Sequence, residues 1–263
     1  MPIARLDSRA LVAVTGPDAR AFLHNLLTQD VESLAAGGLR FGALLGPQGR
    51  LLFDLFLIGA EDGVLLDCAL ERRDALMQRL SVYRLRADVR AAADDQPVFA
   101  AWDEEAPTGW PGDPRLPGLG LRGYGMDAAP TASEDDYRRH QLSLGVPDPA
   151  RDAKPDADYP IEADFDLLNG IDFQKGCFIG QETTSRMKRR GKVKTRLLPL
   201  TFDGQPPAFG AEVLSSELRA GEVRSGHDGR AMALLRLDRL DNLTVDGRPC
   251  RAEPPDWIRP ALG

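Results

Sequence analysis

The segment Lys175-Gly176-Cys177-Phe178-Ile179-Gly180-Gln181-Glu182, continued by Thr183-Thr184-Ser185-Arg186, is the part of the chain best equipped for chemistry. With a helix beginning near Phe178, Cys177 would stand at its N-terminus, where unpaired backbone N–H groups and the helix dipole favour a thiolate, and Lys175 would add to that effect. The same residues also read as packing, with Cys177 a small buried hydrophobe and the two glycines permitting a tight turn. Asp54 is the second residue of interest, because it interrupts the apolar run 51–58. Strand alternation puts Leu52, Asp54, Phe56 and Ile58 on one face, so the carboxylate emerges from an apolar surface and needs a partner or a ligand to offset desolvation, unless the strand is an edge that turns it to water. Glu162 follows Pro160 at a loop-to-helix position where the dipole alone favours an acid. Tyr137 lies on a helix face, an ordinary core position.

These residues must be positioned by several short elements. The span 10–14 reads as a strand, and Pro17-Asp18 opens a helix with Ala19, Phe22, Leu23, Leu26 and Leu27 at helical spacing. Spans 40–45 and 50–58 read as a hairpin about Gly46-Pro47-Gln48-Gly49. A strand at 64–69, a helix from about 71 to 83 and a strand at 85–91 complete an α+β lobe. From 97 to 130 prolines and glycines are dense, with Trp102 and Trp110 among them, which predicts an irregular connection. Ser133 is placed to cap a helix running to Leu144, with Glu134, Asp135 and Asp136 in its first turn. Pro160 should begin a short helical segment ending at Gly170, and from Leu197 short apolar runs between turn signals predict a small all-β module.

Composition narrows the function. The chain of 263 residues has room for two or three lobes, and no stretch approaches the roughly 20 apolar residues of a membrane span. The amino terminus lacks a secretory signal, which predicts a cytoplasmic protein. Cys68, Cys177 and Cys250 lie far apart and find no matching cluster among His24, His140 and His227, so no disulfide framework or metal cage is encoded. A net charge of −7 argues against wholesale nucleic-acid binding. One basic run stands out, with Arg186, Lys188, Arg189, Arg190, Lys192, Lys194 and Arg196. It reads either as a solvated helix end or as a patch that receives an anionic partner.

The string K-G-C-F-I-G-Q-E with the trailing Arg186 resembles the signature of the YgfZ folate-binding family, relatives of the glycine-cleavage T-protein. Val14-Thr15-Gly16-Pro17-Asp18-Ala19, Phe22-Leu23, Leu27-Thr28-Gln29-Asp30-Val31, Pro47-Gln48-Gly49-Arg50 with Asp54, Gly145-Val146-Pro147, Pro160-Ile161-Glu162, Asn169-Gly170-Ile171 and Trp257 extend the resemblance over nearly the whole chain. It implies an α+β fold, a T-protein-like cloverleaf. Its parts would be a discontinuous first lobe (1–48 plus 131–191), a central ferredoxin-like lobe (49–130) and a C-terminal β-barrel-like module (192–263). It further implies that the chain binds tetrahydrofolate or a one-carbon derivative between the lobes, with Asp54, Tyr137 and Glu162 as the folate wall and Cys177 at the same cavity. Arg9 stands where some relatives carry a second stacking tryptophan; an arginine there would stack on a ring or pair with the folate tail. The implied function is assembly or repair of iron–sulfur clusters in client enzymes, tRNA-modifying ones included, with iron–sulfur client or assembly proteins as partners. The basic run at Arg186, Lys188, Arg189, Arg190 and Lys192 would receive a folate tail, an RNA backbone or an acidic protein. The alternative is a folate-dependent aminomethyltransferase, in which Asp54 would orient or deprotonate the reacting folate nitrogen.

Overall fold

The computed structural model describes residues 1–103, 108–191 and 193–262, and of Arg190 the backbone alone. The chain begins with β1 (Ile3–Arg5), β2 (Arg9–Thr15) and α1 (Ala19–Leu26), followed by β3 (Leu39–Leu45), β4 (Leu51–Ala60) and β5 (Gly63–Ala69). Then come α2 (Arg73–Arg84), β6 (Arg90–Asp94), β7 (Val98–Ala101), β8 (Leu121–Tyr124), α3 (Glu134–Ser143), α4 (Pro149–Asp152) and α5 (Gln181–Arg190). The remainder is β9 (Thr195–Phe202), β10 (Glu212–Ser215), β11 (Leu218–His227), β12 (Arg230–Arg236), β13 (Leu243–Val245) and β14 (Arg248–Ala252).

An antiparallel sheet in the order β3-β4-β5-β2-β6 forms the first body. Its succession β2-α1-β4-β5-α2-β6 is the ferredoxin-like βαββαβ path, with β3 added at the β4 edge. That lobe therefore starts at β2 rather than at residue 49, and the boundary expected at 48/49 falls inside the paired hairpin of β3 and β4. Alternation gives the sheet two different faces. Val12, Val14, Leu55, Leu57, Leu66 and Cys68 pack against Leu23 of α1 and Leu76 and Leu80 of α2. Arg9, Leu11, Asp54, Phe56, Ile58 and Asp67 belong to the opposite parity of β2, β4 and β5, and Leu11, Asp67 and Phe56 share one cross-strand row.

A three-stranded sheet, β1-β7-β8, covers part of that second face. The span 97–130, expected to be irregular, thus supplies two strands; they are only four residues each, too short to stand out among the prolines and glycines. Capping of α3 matches the sequence reading: Ser133 accepts from the Asp136 N–H while the Asp136 carboxylate accepts from the Ser133 N–H. The expected helical segment after Pro160 is a series of turns instead, with Asp164 and Asn169 at positive φ. The C-terminal module is a closed six-stranded barrel, β10-β11-β12-β9-β14-β13, filled by Leu198, Leu200, Val213, Val223, Ala233, Leu235 and Val245. Trp257 ties its end back to the α3 terminus by donating its indole N–H to the Leu144 carbonyl at 3.0 Å.

Candidate functional site

Between the five-stranded sheet, β8 and α3, the first of these contributes three charged side chains. Arg9 donates from Nη1 to Asp54 Oδ2 at 2.7 Å and from Nε to Asp67 Oδ1 at 2.6 Å. Asp67 also accepts from Arg122 Nη2 of β8 at 2.8 Å and from the Tyr124 hydroxyl at 3.1 Å. Arg115 grips Asp113 through two hydrogen bonds, Nε at 3.0 Å and Nη2 at 2.8 Å, and Arg122 Nη1 lies 3.6 Å from the same carboxylate. Tyr137 of α3 completes the cluster, its hydroxyl 3.5 Å from Asp113 Oδ2 and its ring tilted against Trp102. Phe56 is the platform beneath: the guanidiniums of Arg122, Arg115 and Arg9 lie 3.8, 4.9 and 5.7 Å from its ring centroid.

Three arginines thus neutralise three aspartates, and all six side chains are nearly or fully buried. Burial works to raise the Asp67 carboxyl, and the charges of Arg9 and Arg122 overcome it, holding it below the ordinary carboxylate range. Burial likewise opposes the Arg9 charge, and Asp54 and Asp67 more than restore it. Burial pushes the Tyr137 hydroxyl up to about 12. The cavity bounded by Arg9, Asp54, Phe56, Arg115, Arg122 and Tyr137 measures about 30 Å³. That is room for about one water molecule, whereas small ligands occupy pockets of roughly 300–1,000 Å³. Arg9, Asp54 and Tyr137, three of the side chains expected to contact folate, are therefore closed around this small cavity.

Cys177 lies elsewhere. It is exposed, and it is absent from the residues that line this cavity. The helix expected to start near Phe178 starts at Gln181, with Gly180 as its N-cap, so Cys177 stands a turn ahead of α5 and outside the strong reach of the dipole. The loop that carries it is nevertheless firmly built. Thr28 donates its hydroxyl to the Gly170 carbonyl at 2.7 Å, the Asp172 N–H donates to the Thr28 carbonyl at 2.9 Å, and the Asp172 carboxylate accepts from the N–H groups of Gln174 and Lys175. Lys175 is buried and donates to the carbonyls of His24 and Leu27, which are left over at the end of α1, the Leu27 bond being 2.7 Å. On the far side of the thiol, Gly180 has φ +79° and packs against the 46–49 turn; a Cβ there would lie 2.8 Å from the Gly46 carbonyl oxygen and from the Gly49 Cα. A Cβ at Gly176 would meet open space. Of the two motif glycines, only Gly180 is demanded by the fold.

The structure brings Arg9, Asp54 and Tyr137 together and places Glu162 and Cys177 apart from them. Glu162 accepts from the Tyr159 N–H at 3.0 Å and from the Thr195 hydroxyl, tying the turns after Pro160 to the barrel. Within the basic run, Arg186, Lys188 and Arg189 are exposed on α5, and Lys188 lies 3.5 Å from Asp166. Arg196 leaves the run altogether, buried against Asp164 and Asp166 at 2.8 and 3.0 Å. Lys192 and the Arg190 side chain lie outside the described residues. Sequence reasoning missed Asp67, Asp113, Arg115 and Arg122. Asp67 carried the signal that found Asp54, a carboxylate inside an apolar strand, and the other three fall in the stretch read as irregular.

Residues 194–260 match the family described as CAF17, C-terminal beta-barrel domain. The chain is 32% identical to the human iron–sulfur cluster assembly factor IBA57, mitochondrial, over 90% of this chain and 78% of that protein. It is 30% identical to the IBA57 homolog of Pyricularia oryzae over 94% of this chain and 75% of the relative. Among solved structures, the glycine cleavage system aminomethyltransferase T from Bartonella henselae superposes with a TM-score of 0.72 at 18% identity, covering 97% of this chain and 85% of that one, a likeness of fold. The expected T-protein-like fold with a C-terminal barrel is therefore present. The YgfZ assignment is corrected to a related family, that of these relatives. Their names also place them in the mitochondrion, which overturns the cytoplasmic expectation drawn from the amino terminus.

Proposed function

The chain belongs to the CAF17/IBA57-type family of iron–sulfur cluster assembly factors, and from that premise we propose that it works through Cys177, with the central junction acting as a clamp rather than as a tetrahydrofolate site. One observation carries the reading: the thiol is exposed on a loop anchored at both ends, while Arg9, Asp54 and Tyr137 are buried against one another. Iron–sulfur clusters are held by cysteine thiolates. A single thiolate offers one ligand, and among the described residues no group of three or more His, Cys, Asp or Glu side chains could hold a metal ion. In this proposal the cluster is cargo, met by Cys177 while its other ligands come from a carrier or client protein. The exposed groove along α5, lined by Phe173, Gln181, Glu182, Ser185, Lys188 and Arg189, adjoins the Cys177 loop and is available to such a partner.

The aminomethyltransferase alternative needs a carboxylate free to face a folate nitrogen, and Asp54 is engaged by Arg9. Complementation tests the proposal. In a strain lacking the protein, Cys177→Ser should fold normally and fail to restore iron–sulfur enzyme activities, a tRNA-modifying enzyme among them. Titration of the purified chain with 5-formyl-tetrahydrofolate should give no binding heat. Full restoration by Cys177→Ser, or tight folate binding lost on Asp54→Ala, would overturn it.

A further inference from the structure

The C-terminal end of α2 and the turn into β6 show two large aliphatic side chains to solvent, Val82 at 64% and Leu85 at 88% exposure. Helical spacing puts Arg79 and Val82 on one line of α2, Arg84 is its last residue, and Arg86 and Arg90 follow in the turn into β6 and at its start. All four arginines are exposed. Arg73, at the start of α2, pairs with Asp95, but among the described residues Arg79, Arg84, Arg86 and Arg90 have no ion-pair partner. In a chain of net charge −7, four exposed arginines against the single exposed Asp88 among residues 79–90 make a local excess of positive charge around an apolar tip.

The backbone adds an independent observation. Leu85 closes α2 at φ +45° and ψ −105°, a conformation that L side chains rarely adopt and that glycine adopts without steric cost. The leucine gains no packing from this, being the most exposed of the large hydrophobics among the described residues. Fold stability therefore gives no reason for a leucine here, whereas a function at the surface does.

We propose that this corner is a contact site for an anionic phospholipid surface. Leu85 and Val82 enter the headgroup boundary while the guanidiniums of Arg79, Arg84, Arg86 and Arg90 bind lipid phosphates, for which their planar donor pattern is suited. The 88% exposure of Leu85 favours lipid over a protein partner, because a side chain so far out of the surface needs a preformed pocket in a protein but none in a deformable interface. No helix among the described residues is long and apolar enough to cross a membrane, so the contact is peripheral.

Co-sedimentation of the full chain with vesicles of mixed phosphatidylcholine and phosphatidylglycerol, against vesicles of phosphatidylcholine alone, tests it. Binding should be confined to the anionic vesicles and fall as salt rises. Leu85→Gly should weaken it about 10-fold, the loss expected for withdrawing one leucine side chain from an apolar boundary, while leaving the melting temperature unchanged or higher. The triple variant Arg79→Gln, Arg84→Gln, Arg86→Gln should weaken it roughly 100-fold, from about fivefold per arginine at an anionic surface. No binding to anionic vesicles, equal binding to neutral ones, or binding that folded variants leave intact would overturn the proposal; in the first case an acidic protein becomes the occupant to seek.

Discussion

Arg9 carries the junction, and its replacement by methionine has a calculable consequence. The substitution keeps most of the apolar stem and removes a cation that two buried carboxylates share. Asp67 retains Arg122 and Tyr124, but Asp54 has no other side-chain partner among the described residues, so one carboxylate is left buried and unpaired. Breaking a buried pair from one side costs about 3–5 kcal/mol, whereas exchanging both members for apolar groups is close to neutral. Arg9→Met should therefore lower the melting temperature by roughly 10 °C, at about 2–4 °C per kcal/mol for a chain of this size, and Arg9→Met with Asp54→Leu should recover most of the loss. The deficit should also depend on pH. The folded-state pKa of Asp67 is depressed, so the stability it contributes is present above its unfolded value and is lost as pH falls through the folded one. The gap between native chain and single variant should accordingly be widest near neutrality and narrow in acid. Denaturant unfolding of the four members of the cycle measures this. A single variant within about 1 kcal/mol of the native chain, or a double variant no better than the single, would refute the account of the cluster as mutually dependent charges.

Three further outcomes follow from the loop and its surroundings. Gly180→Ala should cost about 2 kcal/mol or more, because its Cβ meets the Gly46 carbonyl oxygen and the Gly49 Cα at 2.8 Å and its φ is +79°, while Gly176→Ala should stay within about 0.5 kcal/mol; denaturant midpoints of the two variants compare them. Lys175→Met should destabilise by roughly 2–3 kcal/mol, since it removes charge-assisted bonds to the carbonyls of His24 and Leu27, and hydrogen exchange in 171–180 should quicken beyond that in the barrel. Burial and the neighbouring Asp148 push the Asp152 carboxyl up to about 6, so the folded chain holds this proton more tightly than the unfolded one and stability should fall by at most about 3 kcal/mol as pH rises from about 4 to about 6; Asp152→Asn should flatten that slope, as unfolding measured across the window will show.

How far these arguments could be anticipated differs by element. Alternation in β2, β4 and β5 and the capping of α3 are local patterns, so the strands, the face of Asp54 and the Ser133 cap were legible from short stretches. The lobe boundary was not, because the pairing of β2 with β5 and the return of β6 to β2 are long-range choices that local propensity does not encode. The partners of Asp54 were hidden for a related reason. A carboxylate in an apolar strand announces that something must offset its desolvation, but whether a ligand or an arginine does so depends on which element folds over the sheet. For Asp54 the answer lay in Arg9, on the same sheet, and for Asp67 also in Arg122, within a proline-rich stretch whose two strands are four residues long. The Cys177 motif was found by its composition, yet its helix begins later than expected because Gly180, in the left-handed conformation, serves as the cap.

The charged junction and the exposed thiol are mechanically connected. The segment from Asn169 to Gly180 is held at one end by Thr28 and by Lys175 on the last turn of α1, and at the other by the 46–49 turn between β3 and β4. Both anchors belong to the ferredoxin-like lobe, on whose second face Asp67 bonds Arg122 of β8 while Leu11 and Ile58 pack with Tyr137 of α3. Buried ion networks of this kind add little net stability over apolar packing, but the bonds of this one, from Arg9 to Asp54 and Asp67 and from Arg122 to Asp67, fit one placement of β8 against the sheet. Fixing the sheet against β8 and α3 in one orientation also fixes where its α1 and hairpin ends stand relative to the barrel, and the thiol is strung across those two ends. In the function proposed above, a cluster carrier that touches Cys177 and the α5 groove together would meet them at a spacing set in part by arginines it never contacts.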